Sequence, residues 1–139
     1  MYRNVMRGRI HHIDLTVKDA HASRPFYENL LGFMGYKLSA SSDAGYEFDL
    51  VRGGFCSVGI RSARDPNALH AHDRYSPGLH HLAWSAESRA DVDALHAYLQ
   101  QSGATILDPP AAYPQYSDGY YAVFFADPDG LKLEYVFKP

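Results

Sequence analysis

The clearest pattern along the chain is strand-like alternation that occurs twice. Residues 9–17 read RIHHIDLTV: Ile13, Leu15 and Val17 fall with His11 on one side of an extended chain, and His12, Asp14 and Thr16 on the other. Residues 78–86, GLHHLAWSA, repeat it, with Leu82, Trp84 and Ala86 beside His80 and with His81, Ala83 and Ser85 opposite. Because successive strand residues face opposite sides, each His-His pair is expected to send only one imidazole to a given face. A helical period follows each run. Between Asp19 and Leu31 the apolar residues Phe26, Tyr27, Leu30 and Leu31 recur at i and i+4, with Gly32 as the expected stop. Pro25 implies a start near Ser23 or an irregular first turn. After the second run, Ser88 and Asp91 have capping-box spacing, Val92, Leu95 and Leu99 share a face, and Gly103 follows the last turn.

Short β-like stretches come next: residues 33–40, 45–51 and 55–61 in the first half, and 104–107, 120–126 and 131–137 in the second. Turns at Ser41-Ser42-Asp43, Gly53-Gly54 and Asp127-Pro128-Asp129-Gly130 separate them. The order is βαβββ twice, an α+β pattern predicting a mostly antiparallel mixed sheet. Residues 62–77, SARDPNALHAHDRYSP, are polar and aperiodic and read as a linker, with the boundary near Ser76. The expected organisation is one domain over residues 1–139, with module one at about 9–61 and module two at about 78–137.

With 139 residues, 46% of them hydrophobic, the chain is long enough to bury an ordinary core without disulfides or a structural metal. A net charge of -3, with 13 scattered basic residues, argues against nucleic acid or an anionic membrane as partner, since either needs a clustered positive face. The single cysteine, Cys56, excludes an internal disulfide and suits a reducing compartment. The opening segment MYRNVMRGRI has no apolar run of signal-peptide type, and no run elsewhere is of membrane-spanning length, so the expected location is the cytoplasm.

Strand parity selects the candidate chemistry. In the last strand, LKLEYVF, Glu134 falls with Lys132 and Val136, opposite Leu131, Leu133, Tyr135 and Phe137. In FCSVGIRS, Cys56, Val58 and Ile60 turn to the core, while Ser57, Gly59 and Arg61 turn to the polar side. His12, His81 and Glu134 therefore all lie opposite an apolar face. Two imidazoles and a carboxylate are the donor set that holds a divalent ion such as Fe, Mn, Ni or Zn with coordination positions left open. Such an ion could polarise a carbonyl, hold an enolate or dioxygen, or acidify water.

Further residues carry two readings each. Asp14 is a candidate general base or hydrogen-bond partner, against a solvated strand-edge carboxylate. Arg61 could clamp an anionic substrate, against an ordinary surface arginine. Tyr116, with Tyr113, Tyr120 and Tyr121, could wall a substrate cleft, although packing serves equally for Tyr120 and Tyr121. His11 and His80 are read as structural or ligand-supporting, Cys56 as core, and His21, His70, His72 and His96 as surface residues.

The repeat and the ending DPDGLKLEYV resemble the vicinal oxygen chelate superfamily, which holds glyoxalase I, fosfomycin-resistance thiol transferases, bleomycin-binding proteins and extradiol dioxygenases. RPFYENLLGF and DPDG look like its helix end and final turn. The resemblance covers nearly the whole chain and implies two βαβββ modules forming a cupped sheet around a metal, with His12, His81 and Glu134 at its ligand positions. Where glyoxalase I enzymes supply a fourth-strand glutamate, this chain has Gly59. The extradiol signature tyrosine falls at Phe124, and the catalytic threonine of the fosfomycin group aligns with Asp14. The leading expectation is a metal-dependent lyase, isomerase or transferase that stabilises an oxyanion or enolate on a small oxygenated substrate. The alternatives are a metal-free binding protein of the bleomycin-resistance type and an Fe(II) extradiol-type dioxygenase. The resemblance also implies a homodimer.

Overall fold

The computed structural model describes residues 7–139. The expectation of no signal-type run in the opening segment falls largely on residues 1–6, outside the described residues. The chain divides into two compact units, Met1–Leu69 and His70–Pro139. The division lies inside the polar segment 62–77, ahead of Ser76. Among the described residues, no helix is long and apolar enough to cross a membrane.

Module one contains β1 (His12–Val17), α1 (Ala20–Phe33), β2 (Lys37–Ser42), β3 (Gly45–Leu50) and β4 (Cys56–Ser62), followed by a short 3-10 turn at Asn67–Leu69. Module two contains β5 (Leu82–Ser85), α2 (Arg89–Gln101), β6 (Thr105–Ala112), β7 (Tyr121–Ala126) and β8 (Lys132–Phe137). Each module is a four-stranded mixed sheet, ordered β1-β4-β3-β2 and β5-β8-β7-β6. In each, the first strand pairs in parallel with the last, and the remaining pairings are antiparallel. This is the α+β architecture expected from the repeat.

Each helix covers one face of its own sheet. In module one Leu15 and Val17 of β1, Tyr27, Leu30 and Leu31 of α1, and Ile60 of β4 are buried. In module two Val92, Leu95 and Leu99 of α2 lie in the same core as Phe125 and Leu133. Each fully buried large apolar side chain contributes about 1.5–3 kcal/mol, so a three-residue helix face suffices to hold a helix on its sheet.

Several element boundaries differ from the sequence reading. Helix α1 starts at Ala20, because the Asp19 carboxylate accepts from the N–H groups of His21 (2.9 Å) and Ala22 (3.4 Å), and the Ser62 hydroxyl accepts from Ala20 N–H (2.8 Å). Pro25 lies within the helix; its missing N–H strands only the carbonyl of His21, an exposed residue that water can serve. The helix also runs through Gly32 to Phe33. Its stop is Gly35, whose positive φ of 100° lets the chain turn back while Tyr36 N–H reaches the Leu31 carbonyl (2.9 Å). Strand β2 consequently begins at Lys37 rather than residue 33. Strand β6 extends to Ala112 despite Pro109 and Pro110, because it is an edge strand whose pairing with β7 shifts register twice across them. Ser57, expected on the polar side, is buried at 4% exposure, and Cys56, expected in the core, is half-buried with Tyr36 Oη 3.7 Å from its sulfur.

Candidate metal centre

The His-His pairs behave differently from strict alternation. Strand β1 begins at His12 and β5 at Leu82, so His11, His80 and His81 lie just ahead of the regular ladders. At these strand starts the neighbouring rings meet edge to face, with Nδ1 atoms 2.9 Å apart in His11-His12 and 2.8 Å apart in His80-His81. One Nδ1–H in each pair donates to its neighbour. When the second histidine is the donor, its Nε2 lone pair is left free for a ligand.

In module two β5 and β8 are in parallel register, Ala83 beside Glu134, and β7 places Phe124 on the other side of Glu134. Glu134 is 2% exposed, a buried carboxylate at the centre of a sheet. Its Oε1 lies 3.0 Å from His81 Nε2, and its Oε2 accepts from the Tyr120 hydroxyl. Burial, then the hydrogen bond and charge of Glu134, push the Tyr120 phenol well above its usual range. Tyr116 is 61% exposed and stacks on Tyr113 with centroids 5.3 Å apart; Tyr113 in turn meets Phe124 edge to face. The Lys132 ammonium sits 4.6 Å from the Phe124 ring centroid. Desolvation, and then coulombic repulsion from the neighbouring basic groups His81, Arg74 and Lys132, lower the pKa of His80. Tyr121 goes elsewhere, donating to Asp93 (2.6 Å) under the Arg89 guanidinium.

In module one Asp14 on β1 is in register with Gly59 on β4, and Gly59 with Glu47 on β3. The Asp14 carboxylate lies over Gly59: a Cβ there would come within 2.2 Å of Asp14 Oδ1. His12 Nε2 is 3.9 Å from Asp14 Oδ2, and Arg61 reaches Asp14 at 3.8 Å and Glu47 at 3.9 Å. Exposed pairs of this length contribute at most about 1 kcal/mol, so the open space over Gly59 does more than the ion pairs to decide where Asp14 rests.

Of the residues singled out in sequence, His81 and Glu134 are therefore brought together in module two, beside the tyrosine group that includes Tyr116. His12, Asp14 and Arg61 are brought together in module one. An imidazole nitrogen and a desolvated carboxylate oxygen 3.0 Å apart fit a divalent cation chemically, as two donors of the borderline-hard type such ions take. Among the described residues no three His, Cys, Asp or Glu side chains stand close enough to hold an ion. Module two thus brings together two of the three donors read from the sequence, His81 and Glu134. Sequence reasoning passed over Tyr120 as a partner of Glu134, and Glu47 altogether. Parity carried both signals, since Tyr120 keeps step with Phe124 on the Glu134 face of β7, and Glu47 alternates with the core residues Tyr46 and Phe48.

These two modules, with a His-His pair at the start of each first strand and a carboxylate on the last strand of the second, define a glyoxalase-type protein. Residues 9–135 match the Glyoxalase/Bleomycin resistance protein/Dioxygenase superfamily, and the chain belongs to it. It is 37% identical over 127 residues to YqjT of Bacillus subtilis (strain 168), covering 91% of this chain and 97% of that protein. Among solved structures it resembles a candidate glyoxalase from Bacillus halodurans, with a TM-score of 0.80, 30% identity, and 95% and 97% of the two chains covered. It also shares its fold with a lactoylglutathione lyase from Agrobacterium tumefaciens, with a TM-score of 0.69, 18% identity and 96% of each chain covered.

Proposed function

We propose that this protein is a divalent-metal-dependent enzyme of lyase, isomerase or transferase type that acts on a small oxygenated substrate through an oxyanion or enolate. The observation that carries the reading is the pairing of His81 with the buried carboxylate of Glu134. Burying a carboxylate is costly unless a cation or strong donors compensate it, so a carboxylate held at a sheet centre beside an imidazole suits ion binding. His12 is the remaining donor that strand parity singles out. When bound, a divalent ion supplies a Lewis acid that stabilises negative charge on a substrate oxygen.

The chain's own residues supply the rest. With His80 accepting the Nδ1–H of His81 across their 2.8 Å contact, Nε2 keeps its lone pair for an ion, and His11 stands in the same relation to His12. Asp14 is the proposed proton acceptor, its carboxylate resting over Gly59 with Arg61 beside it. Tyr113 and Tyr116 offer an aromatic wall against which a substrate excludes water.

The test is elemental analysis of gently purified protein and of protein reconstituted with Mn, Fe, Ni and Zn, followed by a turnover screen of chelating oxygenated compounds. Near-stoichiometric metal, lost in His12→Ala, His81→Ala and Glu134→Ala, and turnover abolished by a chelator are expected. Failure to retain any of these metals, or turnover indifferent to chelation, would overturn the reading. The exposed, stacked Tyr113-Tyr116 pair favours one second reading, a protein that sequesters an aromatic compound. Tight ligand binding unaffected by a chelator is its mark.

A further inference from the structure

Glu134 has two oxygens, and the chain treats them differently. Oε1 lies 3.0 Å from His81 Nε2, while Oε2 accepts the Tyr120 hydroxyl. Tyr120 is itself fixed by backbone. Its carbonyl accepts from Tyr113 N–H (2.9 Å) and its own N–H donates to the Ser117 carbonyl (3.2 Å), closing the 113–120 loop immediately before β7. Its ring meets Tyr116 edge to face at 5.3 Å. The phenol therefore arrives at Glu134 on a closed loop rather than on a freely rotating chain.

We propose that Tyr120 is a positioning residue for Glu134, occupying Oε2 so that the carboxylate offers a single oxygen, Oε1, to a divalent ion held with His81. This rests on the metal-dependent reading above. The chemistry follows from the oxygen count. A carboxylate with both oxygens free can chelate an ion through two contacts and consume two coordination positions. A hydrogen bond to one oxygen makes that mode compete with the phenol and keeps a position open for a chelating substrate. The neighbouring Tyr121 cannot substitute, because it belongs to the opposite face of β7 and is bound to Asp93. Module one has no counterpart: its last-strand position equivalent to Glu134 is Gly59, where there is no carboxylate to orient.

The experiment titrates full-length, chelator-stripped protein with Co(II), measuring affinity by calorimetry and coordination number from the visible absorption. Tyr120→Phe keeps the ring and removes only the donor, and near-ultraviolet circular dichroism of the stripped variant checks that the fold is retained. Co(II) affinity is expected to fall about 10–100-fold, the usual effect of removing a hydrogen-bond partner from a metal ligand. The visible bands should also weaken as the carboxylate moves to two-oxygen contact and the coordination number rises. Tyr121→Phe should match the unsubstituted protein in both readouts. A purely structural role would lower thermal stability while leaving affinity and spectrum unchanged, and that result in Tyr120→Phe overturns the proposal. Should the unsubstituted protein bind no Co(II), the metal reading fails and takes this inference with it. Normal Co(II) binding with an indifferent Tyr120→Phe removes this inference alone.

Discussion

The two modules share one topology, and the registers of the first, third and last strands correspond position by position, yet they carry their charge in opposite places. Module two runs Ala83, Glu134, Phe124 across β5, β8 and β7; module one runs Asp14, Gly59, Glu47 across β1, β4 and β3. The carboxylate at the centre of module two is buried between a small residue and an aromatic one, with Tyr120 and His81 as partners. In module one the centre is a glycine, and the flanking acids lie partly in solvent around Arg61. A sheet face can thus place a carboxylate over its centre in two ways, from the central strand or from a neighbour leaning across a glycine. The first desolvates the carboxylate. The second leaves it partly in solvent.

The sharpest way to break this comparison is to fill the glycine. In Gly59→Ala the new Cβ displaces the Asp14 carboxylate, and a destabilisation of about 1–2 kcal/mol by urea denaturation is expected. In an Asp14→Ala background the same substitution should become neutral or stabilising, by up to about 1 kcal/mol, because the clash is gone and the restriction of the unfolded chain remains. An unchanged penalty there would show that something other than Asp14 occupies the space.

A smaller effect distinguishes the neighbouring position, Tyr135 in module two and Ile60 in module one. The Tyr135 hydroxyl donates to Asp91 Oδ2 (2.7 Å), and burial, followed by that bond, raises its pKa. Its unfolded phenol ionises near pH 10, so the stability from the raised value is present below about pH 10 and is lost as pH rises through the folded value. Tyr135→Phe should cost about 1 kcal/mol at neutral pH, because Asp91 retains the Glu87 N–H at 2.9 Å, and should flatten the alkaline fall in urea midpoint. An identical alkaline slope in the variant would remove Tyr135 as its source.

The smallest expected difference lies at the helix starts. Asp19 accepts from two N–H groups with a full charge, whereas the Ser88 hydroxyl accepts from one, Asp91 N–H at 3.0 Å. Both alanine variants should lose about 1 kcal/mol, Asp19→Ala the more of the two. Thermal unfolding in low salt checks the order, and the reverse order would mean that the Glu87-Ser88-Asp91 arrangement carries more than its single cap bond.

Much of this molecule was legible in the chain alone. The doubled HH-plus-alternation motif, the Val92-Leu95-Leu99 face and the Ser88 cap depend on neighbours within a few residues, and such local periodicities survive into the fold because burial rewards them directly. Parity likewise placed Glu134 opposite the apolar residues of its strand. Tertiary structure decided what happens where regular pleating ends or strands meet. It brought the rings of each His-His pair together at the strand starts, chose Gly35 over Gly32 as the end of α1, and let β6 continue through two prolines at a sheet edge. It also turned Tyr120 rather than Tyr121 onto Glu134 and laid Asp14 across Gly59. Those outcomes follow from register between strands distant in sequence. Alternation assigns a side chain to a face, but only pairing determines which neighbour it meets there.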